Sequence, residues 1–218
     1  MRDLTAERER MITEHLMGRG IVNKDVLDAM RSVPREEFVP KSARQFAYGD
    51  FPLQIGEGQT ISQPYIVAYM TELLELVPGD RVLEIGTGSG YAAAVVGKIA
   101  GEVYTVERLA ALADTAAETL RRLHYDNIRV LLGDGTEGWP EHAPYDAIQV
   151  TAGAPHVPAA LKEQLAVGGR LVIPVGGHQR VQSLLRVRRI SATEYRSEDL
   201  CAVQFVPLVG KDGWLDPL

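Results

Sequence analysis

Cysteine, long apolar runs and excess positive charge are all scarce in this sequence, and each scarcity excludes a class of protein. The single cysteine, Cys201, rules out a disulfide within the chain and suits a reducing compartment, so we expect a cytoplasmic location. No stretch approaches about 20 consecutive apolar residues, and we expect no membrane association. The net charge of -6, from 23 Lys and Arg against 29 Asp and Glu, argues against a general nucleic-acid binder.

Other residues of chemical interest are interpreted as structural. The 5 histidines are scattered without the spacing of metal ligands, and we expect no metal site. Arg186, Arg188 and Arg189 form a short basic run that is typical of a solvated strand face. Cys201 has apolar neighbours and is expected to be buried as a small hydrophobic residue. Trp214 is expected to pack against the fold or to cover a ligand.

The pattern of apolar residues changes near residue 80 and divides the chain into two parts. Before it, apolar residues at helical spacing predict a helical extension. An irregular segment follows at residues 34–60, and its length makes it a candidate lid. Beyond residue 80, short apolar strands alternate with helices, which predicts a parallel sheet covered on both faces. We expect a helical extension with a substrate loop at residues 1–79, packed on an α/β core at residues 80–218 as one compact unit.

The end of the core lacks this alternation. Strand-like runs at residues 181–190 and 200–206 are separated only by a polar, turn-like segment. Two adjacent strands of this kind predict an antiparallel hairpin added to the sheet. The expected fold is α/β: a Rossmann-like, doubly wound and mostly parallel sheet with a C-terminal antiparallel hairpin and an N-terminal helical extension. We expect the protein to be a monomer.

A glycine-rich turn follows the first predicted strand of the core and opens a helix. It reads Glu84-Ile85-Gly86-Thr87-Gly88-Ser89-Gly90-Tyr91. Glycines let the backbone turn tightly and approach a ligand. Glu107 ends the second strand, where an acid commonly binds a ribose, and Asp134 ends the third. Because open α/β sheets bind ligands at the carboxyl ends of their strands, these groups predict a nucleotide site.

The glycine spacing distinguishes between kinds of nucleotide. Dinucleotide-dependent oxidoreductases prefer G-x-G-x-x-G, whereas this turn is G-x-G-x-G. Glu84 precedes the first glycine by two residues, where its carboxylate would repel a pyrophosphate and would suit a cationic ligand. A purely structural turn is the alternative, but Glu107 and Asp134 in register with the glycines favour a ligand site.

A second glycine-rich segment, at residues 55–65, leads into a helix that is predicted to begin near Pro64. Thr60 and Ser62 supply hydroxyl donors close to a helix start, whose N–H groups attract anions. The segment therefore predicts a carboxylate-binding site. The alternative is that Ser62 only caps the helix.

Together these motifs resemble the protein-L-isoaspartate O-methyltransferase family of class I S-adenosylmethionine-dependent methyltransferases. The run Gly56-Glu57-Gly58-Gln59-Thr60-Ile61-Ser62-Gln63-Pro64 is similar to the signature of that family. Further similarity lies at residues 33–40, 47–50, 82–91, 145–148, 168–172 and 203–208. Gln54 departs from the pattern, since the family often has proline there, and we expect it to alter loop rigidity rather than chemistry.

The resemblance implies a repair enzyme. It would transfer a methyl group from S-adenosylmethionine, without a metal, to the free α-carboxylate of L-isoaspartyl residues in damaged proteins and peptides. The methyl ester would then collapse to a succinimide. The implied cofactor-binding residues are Glu84, Gly86, Gly88, Gly90, Glu107, Asp134 and Gly135. The implied substrate-binding residues are Thr60, Ile61, Ser62 and Val206.

Ser62 is the expected catalytic residue, in a positioning role. A carboxylate with a pKa near ~4 is already ionised at neutral pH, so no general base is needed. A serine nucleophile would need a base, and no histidine is its neighbour in sequence. Two other functions stay open: a methyltransferase for a small molecule or RNA, which would not need residues 59–64, and a non-catalytic S-adenosylmethionine-binding protein.

Overall fold

The computed structural model describes residues 4–178 and 181–215. The N-terminal extension starts with helix α1 at Leu4–Arg10, which continues as π-helix at Met11–Leu16 and as a 3-10 turn at Met17–Arg19. Helix α2 spans Lys24–Ser32. Its N-cap is Asn23, whose side chain accepts hydrogen bonds from two amides of the first turn. The predicted helical extension is confirmed.

Residues 34–60 are more regular than the sequence predicts. They contain 3-10 turns at Arg35–Phe38 and Lys41–Phe46, and then strands β1 (Leu53–Gly56) and β2 (Gln59–Ile61), which form an antiparallel hairpin. Its two-residue turn places Glu57 and Gly58 at φ 51° and 68°. Such turns are usually marked by Asn-Gly or Asp-Gly, and Glu in the first position hides the signal.

The core alternates strands and helices as expected. After helix α3 (Pro64–Leu73), the chain forms strand β3 (Arg81–Ile85), helix α4 (Tyr91–Gly97), strand β4 (Glu102–Glu107), helix α5 (Ala110–Arg122) and strand β5 (Ile128–Leu132). Then come strand β6 (Tyr145–Val150), helix α6 (Ala159–Gln164) and strands β7 (Leu165–His178), β8 (Val181–Arg189) and β9 (Tyr195–Val203).

The seven strands from β3 to β9 form one sheet in the order β5-β4-β3-β6-β7-β8-β9. The strands from β3 to β7 are parallel, and β8 and β9 add the antiparallel hairpin. The predicted fold class is confirmed. However, β9 begins at Tyr195 and not at residue 200, because its first half is a polar, exposed sheet edge that carries no apolar pattern.

Successive residues of the central strands point into two hydrophobic clusters on opposite faces of the sheet, as the strand period requires. Val82 packs into the cluster that also contains α3, α4 and the N-terminal extension, whereas Leu83 packs into the cluster on the α6 side. The extension therefore shares a core with the sheet.

The strand order reverses at β3, since β4 and β5 lie on one side of it and β6 on the other. Open α/β sheets bind ligands at such a switch point, outside the carboxyl ends of the strands. The turn after β3, the end of β4 and the residues that follow β6 therefore surround one crevice.

Arg170 of β7 ties the residues that follow α3 to the sheet. Its guanidinium donates to the carbonyl oxygens of Leu74 (2.5 Å) and Glu75 (2.6 Å) and forms an ion pair with Asp80 (3.2 Å). The Arg170 side chain is 13% exposed and the Asp80 side chain 11%. At this burial, losing one partner leaves the others without compensation.

We predict that Arg170→Met lowers the free energy of unfolding by about 3 kcal/mol, because the Asp80 carboxylate and three carbonyls, those of Leu74, Glu75 and Asp146, lose a donor. Urea unfolding, followed by tryptophan fluorescence and by circular dichroism, measures this. If the extension and the core form one unit, both probes show the same single transition. Lys24→Met is the control, since the Lys24–Asp28 pair is solvent-exposed and its loss should not move the midpoint. Separate transitions for the two probes would contradict the one-unit arrangement.

Candidate functional site

The turn between β3 and α4 depends on glycine. Gly86, Gly88 and Gly90 have φ angles of 93°, 53° and 85°, which L side chains rarely adopt. A Cβ at Gly86 would also lie 2.5 Å from Thr151 Oγ1, and one at Gly90 would press against Leu120 of α5 at 3.3 Å. Gly86 and Gly88 line the crevice, whereas Gly90 shapes the turn and packs α4 against α5.

Glu107, the last residue of β4, fixes this turn. Its carboxylate accepts hydrogen bonds from the amides of Gly88 (2.9 Å) and Leu109 (3.1 Å). Glu107 is 7% exposed and lines a cavity together with Gly86 and Gly135. A carboxylate oxygen that accepts one bond keeps a further lone pair. Glu107 can therefore accept hydroxyl donors from a ligand in that cavity.

Glu84 lies beneath the glycine turn and does not reach the cavity surface. Its carboxylate is fully buried and accepts hydrogen bonds from Thr105 Oγ1 (2.7 Å) and Gln149 Nε2 (2.9 Å). Thr105 Oγ1 is in turn 2.7 Å from Thr87 Oγ1, and Thr87 and Gln149 both line a second cavity, on the Ser62 side of Gly86 and Gly88. Any effect of Glu84 on a ligand is therefore transmitted through these two side chains.

Burial raises the pKa of the Glu84 carboxyl to about 7 from its ordinary 4.5. The hydrogen bonds from Thr105 and Gln149 oppose this shift, and the nearby charge of Glu107 adds to it. Glu84 is thus a buried carboxyl whose protonation changes near neutral pH.

Asp134 and Gly135 follow β5 but lie in different surroundings. Gly135 lines the cavity beside Glu107, and a Cβ there would lie 2.4 Å from Ile85. The Asp134 carboxylate accepts from the Thr136 amide (2.8 Å) and from the Lys211 amide (2.7 Å). Asp134 therefore anchors the C-terminal segment and borders an adjacent shallow depression.

The segment around Val206 forms one wall of the site. It is joined to Gly153, after β6, by bonds from Gly153 N to the Val206 carbonyl and from Leu208 N to the Gly153 carbonyl, both 2.8 Å. Trp214 Nε1 also donates to the Gly153 carbonyl, at 2.9 Å, which supports the expected packing role of Trp214.

Thr60 and Ile61 end the β2 strand, and Ser62 lies between β2 and α3. All three line one cavity with the glycine turn, which we call the inner cavity; its polar lining includes Thr60, Ser62, Gly86, Gly88, Gln149 and Thr151. Val206 lines the neighbouring cavity beside Glu107 and Gly135. Both cavities open at Thr60 and Thr151 into a larger groove, bordered by residues 201–207. The structure thus brings the predicted substrate residues beside the predicted cofactor turn.

Ser62 does not cap helix α3. The N-cap position is Gln63, and the cap is supplied by Asp50, whose Oδ1 accepts from the Tyr65 amide at 3.0 Å. The Ser62 hydroxyl makes no hydrogen bond within residues 4–178 and 181–215, so no base from this part of the chain activates it. The helix-capping interpretation of Ser62 is wrong.

Sequence analysis missed two residues that hold the Ser62 segment. Asp50 accepts from Gln63 Nε2 (2.8 Å) as well as capping α3, and it pairs with Arg19 at 2.7 Å. Arg35, fully buried, donates to the Ser62 carbonyl at 2.7 Å. Both lie in segments that match the family pattern, but their contacts span 12 to 31 residues of sequence, and no local signal predicts them.

The predictions for Cys201 and for the basic run of β8 are met only in part. Cys201 is part-buried: it packs against the hydrophobic cluster as predicted, but it also lines the groove, so its burial is incomplete. Arg186 and Arg188 pair with Glu75, at 3.1 and 2.5 Å. With side chains 17% and 32% exposed, these two arginines are partly covered and paired within the chain, so this strand face is less solvated than predicted.

Within residues 4–178 and 181–215, no group of three or more His, Cys, Asp or Glu side chains is arranged to hold a metal ion. In the same ranges, no helix has the length and apolar character needed to span a bilayer.

The model of one protein family, described as protein-L-isoaspartate(D-aspartate) O-methyltransferase, matches residues 6–213. The chain belongs to this family. It is 64% identical over 214 residues to the protein-L-isoaspartate O-methyltransferase 2 of Pelobacter propionicus, covering 98% of this chain and 95% of that protein. It is 62% identical to the protein-L-isoaspartate O-methyltransferase 1 of Geotalea uraniireducens, covering 98% of both chains.

Solved structures agree with this membership. A protein-L-isoaspartate O-methyltransferase superposes with a TM-score of 0.84 at 32% identity, over 94% of this chain and 67% of its own. A putative protein-L-isoaspartate O-methyltransferase from Plasmodium falciparum, solved with S-adenosyl-L-homocysteine, gives a TM-score of 0.79 at 27% identity, over 93% and 98%. The predicted family, enzyme class and methyl donor are confirmed, and the oxidoreductase alternative is wrong.

The residues of this methyltransferase fit S-adenosylmethionine. The turn at Gly86 and Gly88 exposes main chain to the crevice, where a Cβ at Gly86 would collide with Thr151. Glu107 supplies an acceptor for a hydroxyl pair, and its carboxylate, together with the ionised form of Glu84, makes this end of the site suit a cation.

We predict that Glu84 makes stability depend on pH. Because folding raises its pKa, its stabilising contribution is fully present below pH 4.5 and is lost as the pH rises through about 7. The whole shift corresponds to about 3 kcal/mol. As the pH rises from 4.5 to 8, the wild type should therefore lose free energy of unfolding that Glu84→Gln does not lose.

Urea unfolding at several pH values measures this difference. Glu118→Gln, at an exposed position on α5, is the matched control and should keep the pH dependence of the wild type. If Glu84→Gln and the wild type lose stability in parallel, Glu84 does not carry the predicted proton.

Proposed function

We propose that this chain methylates the free α-carboxylate of L-isoaspartyl residues where the inner cavity meets the groove. One observation carries the proposal: Thr60, Ile61 and Ser62 share a single cavity with Gly86 and Gly88. The residues expected to hold the carboxylate and those expected to hold the methyl donor are therefore neighbours.

The cofactor roles follow from position in the crevice. Gly86 and Gly88 cradle the methionine part, and Glu107 accepts the ribose hydroxyls. Gly135 borders the adenine end, and Asp134 supports that end by holding the C-terminal segment at Lys211. Gly90 sets the turn, and Glu84 acts from below through Gln149 and Thr87.

The substrate roles rest on the main chain as much as on side chains. The groove is bordered by the extended residues 201–207, and within the part of the chain that is described Arg19 is its one charged lining side chain. A groove of this kind suits substrates that differ from normal protein in their backbone and not in one side chain. Thr60, Ile61, Ser62 and Val206 hold the isoaspartyl residue.

The chemistry needs little from the protein beyond placement. When bound, S-adenosylmethionine supplies an electrophilic methyl group on a sulfonium. The α-carboxylate is already ionised at neutral pH, so no side chain has to remove a proton. The chain holds the carboxylate oxygen towards the glycine turn and excludes water, with the Ser62 hydroxyl as a donor that orients it. The ester then leaves and closes to a succinimide without the enzyme.

The proposal also includes the substrates, the oligomeric state and the cellular location of the protein. We take the substrates to be isoaspartyl-containing proteins and peptides, bound by a monomer in the cytoplasm without nucleic acid or membrane. The lone Cys201 suits a reducing compartment, and the net charge of -6 is unlike that of a nucleic-acid binder.

We predict that labelled S-adenosylmethionine methylates a peptide with one L-isoaspartyl linkage and not the same peptide with a normal L-aspartyl linkage. The product should be a base-labile ester, and S-adenosylhomocysteine should inhibit its formation. Equal labelling of both peptides would contradict the backbone selectivity. If the protein binds the cofactor but labels neither peptide, the methyl acceptor is a different molecule.

We predict that Ser62→Ala lowers kcat/KM for the isoaspartyl peptide by about ten- to a hundred-fold, as expected when an orienting donor is removed. The affinity for S-adenosylhomocysteine should stay unchanged. Ser197→Ala, an exposed serine on β9, is the matched control and should behave as the wild type. An unchanged kcat/KM in Ser62→Ala would contradict the orienting role of the hydroxyl.

A further inference from the structure

Arg35 is a cation buried without a counter-ion of its own. Its side chain is 0% exposed. Nε donates to the Ala47 carbonyl and Nη2 to the Ser62 carbonyl, both at 2.7 Å, and the guanidinium lies 4.7 Å from the centre of the Tyr91 ring. Nη1 has no hydrogen-bond partner among the described residues. All of these neighbours are uncharged.

A buried charge of this kind is costly unless another charge compensates it. Burial lowers the pKa of the Arg35 guanidinium, but an arginine side chain keeps its charge in proteins. Asp50 is the carboxylate whose field reaches Arg35, and it is already paired with Arg19 and engaged at the start of α3. The positive charge of Arg35 is therefore left largely unbalanced.

The position of Arg35 relates this charge to the inner cavity. Ser62 and Tyr91, which it contacts, both line that cavity, and Arg35 lies behind them. No charged side chain from residues 4–178 or 181–215 lines the inner cavity itself. A carboxylate held there would face Arg35 across the main chain of Ser62.

The bond to the Ser62 carbonyl also orients the next peptide group. In a planar trans peptide the C=O and N–H point in opposite directions. Since the Ser62 carbonyl faces Arg35, the Gln63 N–H points away from the buried side. This N–H donates to no acceptor in the described ranges, and Gln63 borders the groove.

We propose that Arg35 is the positioning residue for the substrate carboxylate: it fixes and polarises the Ser62–Gln63 peptide and provides the buried positive charge that the carboxylate balances. The inference rests on the proposed function and adds to it the group that selects a charged acceptor. Arg35 touches neither substrate nor cofactor, and it acts through the Ser62 main chain.

The test compares two peptides that differ only at the isoaspartyl group, one with the free α-carboxylate and one with an α-carboxamide. Their dissociation constants are measured by calorimetry in the presence of saturating S-adenosylhomocysteine. We expect the wild type to bind the carboxylate more tightly. Arg35→Met should reduce that preference by about ten-fold, which corresponds to about 1.4 kcal/mol. The affinity for S-adenosylhomocysteine alone should not change.

Two further variants separate charge from packing. Arg35→Lys keeps the charge and should retain most of the preference for the carboxylate, whereas Arg35→Gln keeps a donor without charge and should lose it. This pair also decides the matter if Arg35→Met does not fold. Arg10→Met is the matched control, because Arg10 is an exposed arginine at the end of α1 that pairs with Glu7; it should keep the preference.

Three results would overturn the inference: an unchanged preference in Arg35→Gln, an equal loss in the Lys and Gln variants, or loss of the preference in Arg10→Met. Failure of the proposed function is a separate result, since it would appear as no methylation of the isoaspartyl peptide by the wild type.

Discussion

The hydrogen bond from the Gly88 amide to the Glu107 carboxylate joins the two strands that build the site. The glycine turn belongs to β3 and Glu107 to β4, and these parallel strands are in register up to Ile85 and Val106. The Gly86 amide extends the pairing by donating to the Val106 carbonyl at 2.9 Å. These bonds fix the position of the turn relative to the carboxyl ends of β3 and β4. The cavities that the glycines line depend on that position.

Charge is distributed unequally around the inner cavity. Carboxylates lie below and beside the glycine turn, at Glu84 and Glu107, whereas a guanidinium lies behind the opposite wall at Arg35. In a site of low dielectric such an arrangement favours a cation at one end and an anion at the other. A sulfonium donor and a carboxylate acceptor are a pair of ligands with this polarity, and their charges disappear together on methyl transfer.

The parts of the fold that could be predicted are those with a local cause. Buried parallel strands are continuous apolar runs, so residues 81–85 and 145–150 were recognisable, and the glycine turn was recognisable by its spacing. The β1–β2 hairpin was missed because its turn is Glu57-Gly58. The first half of β9 was missed because an exposed edge strand has no apolar alternation.

The same distinction applies to the site. Gly86, Glu107 and Gly135 follow strand ends, so topology alone brings them together. Whether each predicted residue touches a ligand stays a prediction. Arg35 and Asp50 could not be found from sequence, since a buried arginine and a surface arginine look the same until the chain folds around one of them. Glu84 shows the complementary difficulty: the motif located it, but only the structure revealed that Thr105 and Gln149 enclose it.

The attachment of the Val206 wall to Gly153 determines how the two sides of the site can move. Main-chain hydrogen bonds join that wall to the residues after β6. Displacing the wall would break these hydrogen bonds at the carboxyl end of the central strand. Among the described residues the β1–β2 hairpin forms a two-stranded sheet of its own; Ile61 anchors it in the core, and Asp50 and Arg35 hold the residues that follow it. Under the proposed function, we therefore expect a protein substrate to enter and its ester to leave on the hairpin side, with the C-terminal wall as the fixed surface.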